Sequence, residues 1–427
     1  MSDDVMGQWT GPGVRLTDTV MADGGLNDSL PSALPVFIGW CAFPEAKNGV
    51  VEDAGVHWVK MATWDQQPWP FPDENETCLQ DTVRHYFDNG GGPCFILMGT
   101  APPPILAVTD LITWWETFSG KASSLLLREP SITLVAVPQL VALTERVQPV
   151  GAVAPIAETF NTVWQILLRT CISRPDLFFV LDAPRDPAVA TSCIEALRQT
   201  NVLGDMASRA ALYGPHLVTD YRMASGKGAV VPPCGAVLGV YGLSDVTDGV
   251  WKAPANEALQ HVVQPEYRET LTHGWFAAEK ASINLIRSFS GRGTRVWGCR
   301  TLSDDPSFRY VQVRRAVTWI EVNLKQICRF AMFEPNNEIT WFQVRGLCCA
   351  WLRRVWLDGG LAGADEASAY SVRVGLNESM TMADIEAGRL IIQVGVSVLH
   401  AAEFIDVKLE LIVGDAQGSG VSLQRSE

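Results

Sequence analysis

Residues 90–98, with the sequence GGGPCFILM, hold the pattern that decides the fold class. The three glycines and Pro93 end a helix that is predicted over residues 76–87, and an uninterrupted apolar run follows them. Apolar runs without alternation are typical of strands that are buried on both faces of a parallel sheet. The sequence therefore predicts an α/β domain with helices on both faces of its sheet.

The same two patterns recur before and after this stretch. Further apolar strands are predicted over residues 36–40, 132–137 and 177–181, and further helices over residues 155–170 and 188–198. Strands that alternate with helices in this way favour parallel pairing, because each helix returns the chain to the same edge of the sheet.

A second region begins near Asp304, where acidic residues and Pro306 suit a helix start. The helix that follows carries one apolar stripe at spacings of three and four, formed by Val313, Val317, Ile320, Leu324 and Ile327. Another helix is predicted over residues 338–357, between the break at residues 335–337 and the terminating Gly359-Gly360. Strands are predicted over residues 369–374 and 389–394.

Each end of the chain carries one amphipathic strand. The apolar residues of these strands are Val14, Leu16 and Val20 near the N-terminus, and Ile405, Val407, Leu409, Leu411 and Val413 near the C-terminus. An isolated strand is not stable in water and needs a sheet. Either both strands pair within their own subunit, or they add to sheets of neighbouring copies, and head-to-tail addition generates helical tubes.

The composition limits the classes of function. The 427 residues suggest two or three domains, and the net charge of −14 argues against a general nucleic-acid binder, which needs a basic surface. Only 19% of residues are charged, against about 25% in typical domains, which indicates a surface partly hidden against partners. No apolar run is long enough to predict a membrane span, and the acidic N-terminus predicts cytoplasmic synthesis without a signal peptide.

Motifs of reaction chemistry are not evident. There is no phosphate-binding loop, the six histidines have no metal-ligand spacing, and the ten cysteines favour buried thiols over disulfides or a zinc site. Asp182, Asp186 and Asp245 are predicted to cap helices or shape turns. We therefore predict no catalytic residue, no cofactor and no metal. The enzyme alternative is a hydrolase that uses Ser244 and a histidine, although residues 242–246 lack the second glycine of a nucleophile elbow.

Basic residues cluster in the two C-terminal helices despite the acidic total. The members are Arg309, Arg314, Arg315, Lys325, Arg329, Arg345, Arg353 and Arg354. Two interpretations stay open, namely a solvated helix face and a docking face for an acidic partner, for which arginine is favoured by its bidentate pairing with carboxylates.

Four longer stretches carry a resemblance to a known family. They are residues 231–241 (VPPCGAVLGVY), 248–256 (DGVWKAPAN), 291–302 (GRGTRVWGCRTL) and 305–315 (DPSFRYVQVRR). The chain resembles the contractile tail sheath proteins of phage tails, R-type bacteriocins and extracellular contractile injection systems, from about residue 10 to residue 413. It departs from the family pattern at Cys234 and Cys299, where relatives have small residues, and in the arm around Val14, where many relatives have an aromatic residue next.

The resemblance implies a division into four parts. These are an N-terminal linking arm (1–33), a subtilisin-like α/β sheath domain without the protease triad (34–302), an α+β C-terminal sheath domain near the inner tube (303–402), and a C-terminal linking strand with a polar tail (403–427). By the same resemblance, the two terminal strands link neighbouring subunits, and the basic residues of the C-terminal helices contact the tube.

The resemblance also implies partners and a location. We expect a helical homo-oligomer of stacked rings around an inner tube protein, with baseplate and terminator or cap proteins at its ends, in a phage tail or an extracellular contractile particle. Neither nucleic acid nor a membrane span is expected. The chain resembles either the main sheath protein or a minor sheath paralogue that acts as an adaptor at the baseplate or cap end.

Overall fold

The computed structural model describes residues 29–41, 51–53, 56–66, 77–103, 107–147, 153–200, 202–222 and 227–400. Both predicted linking strands lie outside the described residues. The positions concerned are Val14, Leu16, Val20, Ile405, Val407, Leu409, Leu411 and Val413.

The strands of the described residues form three sheets. They are β1 (Pro35–Cys41), β2 (Val51–Asp53), β3 (Val56–Met61), β4 (Cys94–Thr100), β5 (Leu134–Ala136), β6 (Phe178–Asp182), β7 (Ala210–Gly214), β8 (Leu217–Arg222), β9 (Gly228–Val231), β10 (Val262–Pro265), β11 (Ile283–Phe289), β12 (Gly293–Val296), β13 (Tyr370–Arg373) and β14 (Gln393–Val396).

Ten α-helices lie in the same described residues. They are α1 (Thr77–Asp88), α2 (Val108–Arg128), α3 (Leu140–Arg146), α4 (Val153–Leu168), α5 (Pro187–Thr200), α6 (Cys234–Thr247), α7 (Val311–Cys328), α8 (Glu338–Leu357), α9 (Glu366–Ala369) and α10 (Met382–Glu386). The predicted start of the C-terminal region at Pro306 is a short 3-10 turn, Pro306–Phe308, which Asp305 caps by accepting a hydrogen bond from the Ser307 amide at 2.8 Å.

The central sheet has the strand order β12-β11-β7-β6-β5-β1-β4-β3-β2. The strands from β11 to β4 are parallel, and antiparallel strands extend the sheet at both ends. A smaller antiparallel sheet has the order β10-β8-β9, and β13 pairs with β14 alone among the described strands. This mixed α/β architecture confirms the predicted fold class.

Strand β1 shows why its sequence is apolar without alternation. Val36, Ile38 and Trp40 face one hydrophobic core, which helices α2, α3, α4 and α5 cover. Phe37 and Cys41 face a second core on the other side of the sheet, together with residues of α1 and α6. Because both faces are buried, every residue of the strand is apolar or small.

The stretch around residues 231–241 builds the contact between α1 and α6. A Cβ atom at Gly235 would lie 2.2 Å from the Thr82 carbonyl oxygen, and one at Gly239 would lie 2.6 Å from the Tyr86 carbonyl oxygen. Glycine at these two positions lets the helix backbones approach closely, which larger residues would prevent. These two glycines of the motif therefore serve the close packing of α6 against α1.

A third hydrophobic core lies in the C-terminal region. It joins α7 and α8 to β13 and β14, with Ile320, Val344 and Leu352 among its buried residues. Helix α7 reaches two cores, because Val311 at its start packs in the core of α1 and α6. Trp251 also packs against the third core, from the stretch between α6 and β10. The boundary at residues 302–303 stays a prediction, since the two cores share one helix.

Asp182 lies at the end of β6 and faces the N-terminus of α6. Its Oδ1 atom accepts a hydrogen bond from the Cys234 amide at 2.8 Å, and burial raises the pKa of its carboxyl group to about 7. Asp186 likewise accepts a hydrogen bond from the Ala188 amide at 2.8 Å, at the start of α5. The predicted capping roles of these two aspartates are confirmed.

We expect Asp182→Asn to change how stability depends on pH. The folded-state pKa lies above the unfolded value of about 3.9, so the wild-type protein loses stability as the pH rises from about 4 to about 7. Asparagine keeps the acceptor for the Cys234 amide and has no proton to lose. The variant should therefore gain on the order of 4 kcal/mol relative to wild type across that range, as measured by urea unfolding of the monomer.

The matched control for this experiment is Asp186→Asn, which changes an exposed aspartate that also caps a helix. A free-energy difference between Asp182→Asn and wild type that stays constant from pH 4.5 to pH 8 would contradict the assignment.

Candidate assembly surfaces

The first candidate surface is the C-terminal ribbon, defined as the antiparallel pair of β13 and β14. Tyr370 pairs with Val396 and Arg373 with Gln393, and the inward-facing Tyr370 packs in the third core below the ribbon. Within the described residues, neither strand has a second partner. Each strand of such a ribbon therefore presents one row of backbone donors and acceptors that is open to a further strand.

Two of the predicted tube-contacting residues are buried. The side chains of Arg314 and Arg315 are only 7% and 3% exposed, so neither presents its charge at the surface of this subunit. Arg314 lies over the ring of Phe308 at 4.4 Å and donates hydrogen bonds to Thr318. The helical pattern could not distinguish Arg315 from a surface residue, because its acidic partner comes from another helix.

Asp245 is the partner that buries Arg315. Its carboxylate accepts hydrogen bonds from Arg315 Nη1 at 3.0 Å and Nη2 at 2.5 Å, and its own side chain is 4% exposed. The guanidinium also lies over the ring of Tyr241 at 4.7 Å. The prediction that Asp245 caps a helix or shapes a turn is therefore wrong: it forms a buried ion pair between α6 and α7.

The other predicted cations are distributed over the C-terminal domain and do not form one patch. Arg309, Lys325 and Arg329 are half-buried, and Arg345 donates to the Val374 carbonyl oxygen and pairs with Glu378. Arg353 and Arg354 are exposed on α8, where Arg353 Nε lies 2.7 Å from Glu366 Oε1. Exposed basic groups therefore remain on the second of the two helices.

A second candidate surface is an apolar groove between the end of α7 and the first half of α8. It has a volume of about 610 Å³ and is lined by Gln326, Ile327, Phe330, Phe342, Gln343, Gly346 and Leu347. Phe342 is 68% exposed, and Ile339, one turn before it, is equally exposed. Exposed apolar surfaces of this kind mark contacts with other molecules. The sequence analysis did not predict this groove, although Phe342 lies off the apolar stripe of α8 and so indicates an exposed apolar residue.

The enzyme alternative fails at Ser244. A nucleophile elbow places its serine at a sharp turn between a strand and a helix. Ser244 instead lies inside α6, is 4% exposed, and its hydroxyl has no hydrogen-bond partner. Two histidines of the first domain, His85 and His216, are buried, and burial lowers their pKa to about 4 and about 3. They are neutral core residues at physiological pH.

The cysteines of this chain are reduced and mostly buried. All ten cysteines lie in the described part of the chain, none forms a disulfide, and eight are buried. No cluster of three or more potential metal ligands occurs among the described residues. Of the helices in that same part, none combines the length and the apolar character needed to cross a bilayer.

Comparison with known proteins relates these surfaces to a family. The family model for the phage tail sheath C-terminal domain matches residues 303–412. A chain of the contracted baseplate of the anti-feeding prophage (AFP) is 31% identical, with a TM-score of 0.77, and the match covers 96% of this chain and 100% of that one. No curated protein sequence matches.

Two contracted sheath structures match over the same share of this chain. The contracted AFP helical sheath is 27% identical with a TM-score of 0.64, and the contracted sheath complex of PVC, an extracellular contractile injection system, is 28% identical with a TM-score of 0.62. Each match covers 96% of this chain and 99% of the other chain.

Breaking the buried pair from one side should destabilise the subunit strongly. Arg315→Met leaves the Asp245 carboxylate buried without its partner, and we expect a loss of about 3–5 kcal/mol in urea unfolding. Replacing both residues, as Arg315→Met with Asp245→Leu, should recover much of that loss, because no buried charge remains.

Arg314→Met is the control for this cycle. It removes a similarly buried arginine whose acidic partner, Glu321, is 49% exposed and stays hydrated. We expect a smaller loss than for Arg315→Met, and equal losses for the two variants would show that the buried carboxylate is not the cause.

Proposed function

This chain belongs to the contractile tail sheath family, and we propose that its copies polymerise as a helix of stacked rings around an inner tube and contract to drive that tube through a target envelope. The observation that carries the proposal is the match to AFP at 31% identity, which spans essentially the whole of both chains. The two contracted sheaths match over the same share of this chain and favour a sheath subunit over an adaptor at the baseplate or cap.

The role that we propose is structural and not enzymatic. In support, Ser244 is buried inside a helix, and the most similar stretches of sequence serve packing between helices. The work of contraction then comes from assembly: the subunit has two packings with different free energies, and a baseplate trigger releases the less stable one. No nucleotide or cofactor enters this scheme.

Linkage between subunits is assigned to strand addition at the C-terminal ribbon. Its two open edges match the requirement of the predicted terminal strands, 14–20 and 405–413, for a sheet that accepts them. Main-chain hydrogen bonds of this kind survive a change of packing if the connecting segment bends, and Gly24-Gly25 provides a hinge in the sequence. The proposed boundaries of the four parts of the chain, after residues 33, 302 and 402, follow from this arrangement of linking strands.

Contact with the inner tube is assigned to the exposed cations of the C-terminal domain. Arg353 and Arg354 on α8 are the strongest candidates because they are exposed, whereas the burial of Arg314 and Arg315 argues against these two residues. The subunit is made in the cytoplasm and assembled into a phage tail or an extracellular particle, where the apolar groove becomes covered by a neighbouring molecule.

Removal of residues 1–26 should abolish long sheaths. The truncation deletes the N-terminal linking strand and keeps every described residue, so we expect a folded subunit that forms no continuous cylinder with its tube partner in negative-stain microscopy. Removal of the polar residues 415–427, which follow the C-terminal strand, is the control and should leave sheath length unchanged. Sheaths of normal length from the first truncation would refute the linkage.

Charge reversal on α8 should weaken binding to the tube. In the double variant Arg353→Glu and Arg354→Glu, we expect at least ten-fold less sheath protein to co-sediment with preformed tubes at low salt. The difference should shrink at high salt, since exposed charges are screened. Arg169→Glu is the control, because Arg169 is an exposed arginine beside Glu116 in the first domain. Unchanged co-sedimentation of the double variant would exclude these two residues as tube contacts.

A further inference from the structure

Residues 29–34, called the strap here, cross from the C-terminal helices to the central sheet. The strap is the first described segment of the chain, and β1 begins directly after it at Pro35. It contains no helix or strand of its own. Its polar groups nevertheless have specific partners, and these partners come from both domains.

The N-terminal part of the strap, Ser29 and Leu30, is hydrogen-bonded to α7 and α8. The Leu30 amide donates to Asn323 Oδ1 at 2.7 Å, and Trp319 Nε1 donates to the Leu30 carbonyl oxygen at 2.7 Å. Trp351 Nε1 donates to Ser29 Oγ at 3.3 Å. The backbone of Leu30 is therefore paired on both its donor and its acceptor by side chains of one helix.

The C-terminal part of the strap, from Ser32 to Leu34, is hydrogen-bonded to Thr133 and to the buried ion pair. Ser32 Oγ donates to Asp245 Oδ2 at 2.6 Å, and Arg315 Nη2 donates to the Ser32 carbonyl oxygen at 3.1 Å. Thr133 Oγ1 donates to the same carbonyl at 3.0 Å and accepts from the Leu34 amide at 2.9 Å. Ser32 thus joins α6, α7 and the start of β5 at one point.

Such pairing is unusual for a connecting segment. Connections generally run over the surface and leave their backbone groups to water. Here Leu30, Pro31 and Ser32 line a small cavity of about 50 Å³ together with Phe178 and Trp319. A segment that needed only to connect the arm to β1 would not require partners from four other elements.

We propose that the strap anchors the N-terminal arm. Force that is transmitted through the linking strand is then shared among α7, α8 and the central sheet, and β1 stays paired in the sheet. This inference rests on the proposed function, because it assumes that the arm is linked to a neighbouring copy. Along the chain, this force reaches the hydrogen bonds of Ser29 and Leu30 first and those of Ser32 next, before it reaches the pairing of β1 with β5.

The anchor also limits where the neighbour can lie. Eight residues lie between Val20, the end of the predicted linking strand, and Ser29, and the nine Cα-to-Cα steps of an extended chain span at most about 30 Å. The accepting edge of the neighbouring ribbon therefore stays within that distance of Ser29, in the extended and in the contracted sheath alike.

The test uses the full-length double variant Trp319→Phe with Asn323→Ala, which removes both partners of the Leu30 backbone. Its control is Trp341→Phe with Asn336→Ala, because Trp341 Nε1 donates to Asn336 Oδ1 at 2.7 Å in the same domain without touching the strap. Should the double variant be too unstable to purify, Trp319→Phe alone replaces it and keeps the aromatic ring. Hydrogen exchange of the monomer and microscopy of sheaths assembled on the tube partner are the two measurements.

We expect amide exchange in residues 29–34 to become at least ten-fold faster in the strap variant and to stay unchanged in the control. After contraction, sheaths of the strap variant should be broken into short pieces, while those of the control stay continuous. Unchanged exchange, or continuous contracted sheaths from the strap variant, would overturn the anchor.

Comparison with the truncation of residues 1–26 separates the two proposals. If the truncated chain forms normal sheaths, the arm does not link subunits and the proposed linkage fails. If the truncated chain fails to form sheaths but the strap variant behaves like its control, the linkage stands and the anchor alone fails.

Discussion

The buried ion pair of Arg315 and Asp245 joins α7 to α6, which lie in the two regions that we propose as separate domains. Both side chains are almost fully removed from water, so each needs the other, and neither can turn outward without leaving a charge unpaired. The pair also contacts Ser32, so the strap meets α6 and α7 at the same point. Together with Val311, which packs in the core of α1 and α6, the pair holds α7 and the strap against α6.

Residues in the stretches that carry the resemblance contribute to the packing of the subunit. Gly235 and Gly239 let α6 lie against α1, and Trp251 of the stretch 248–256 packs against the third core, where its ring centre lies 6.1 Å from that of Trp319. Arg300, from the stretch 291–302, is fully buried and donates to two backbone carbonyls. Because these residues hold helices and domains together, a strong sequence signature occurs here without a nucleophile or a metal ligand in it.

Local signals explain which elements the sequence could predict. Helix α8 matches its prediction at both ends, because Asn337 caps its first turn and Gly359, with φ +83°, terminates it. Helix α2 went unpredicted, since Thr113 and Thr117 on its exposed face and a central Gly120 lower its helix propensity. The two threonines bond to carbonyls four residues earlier. The burial of Arg315 had no local signal, because its partner Asp245 lies 70 residues away.

Charge and surface chemistry together favour assembly by short-range contacts. Copies that each carry a net charge of −14 repel one another, yet at physiological ionic strength this repulsion is screened beyond roughly 8 Å. Strand addition and the covering of an apolar groove act at contact distance and depend little on salt. A low content of charged residues keeps the repulsion at contact small. Within the described residues, the C-terminal ribbon and the apolar groove are two surfaces that offer such contacts, and both lie in the part of the chain that the family model matches.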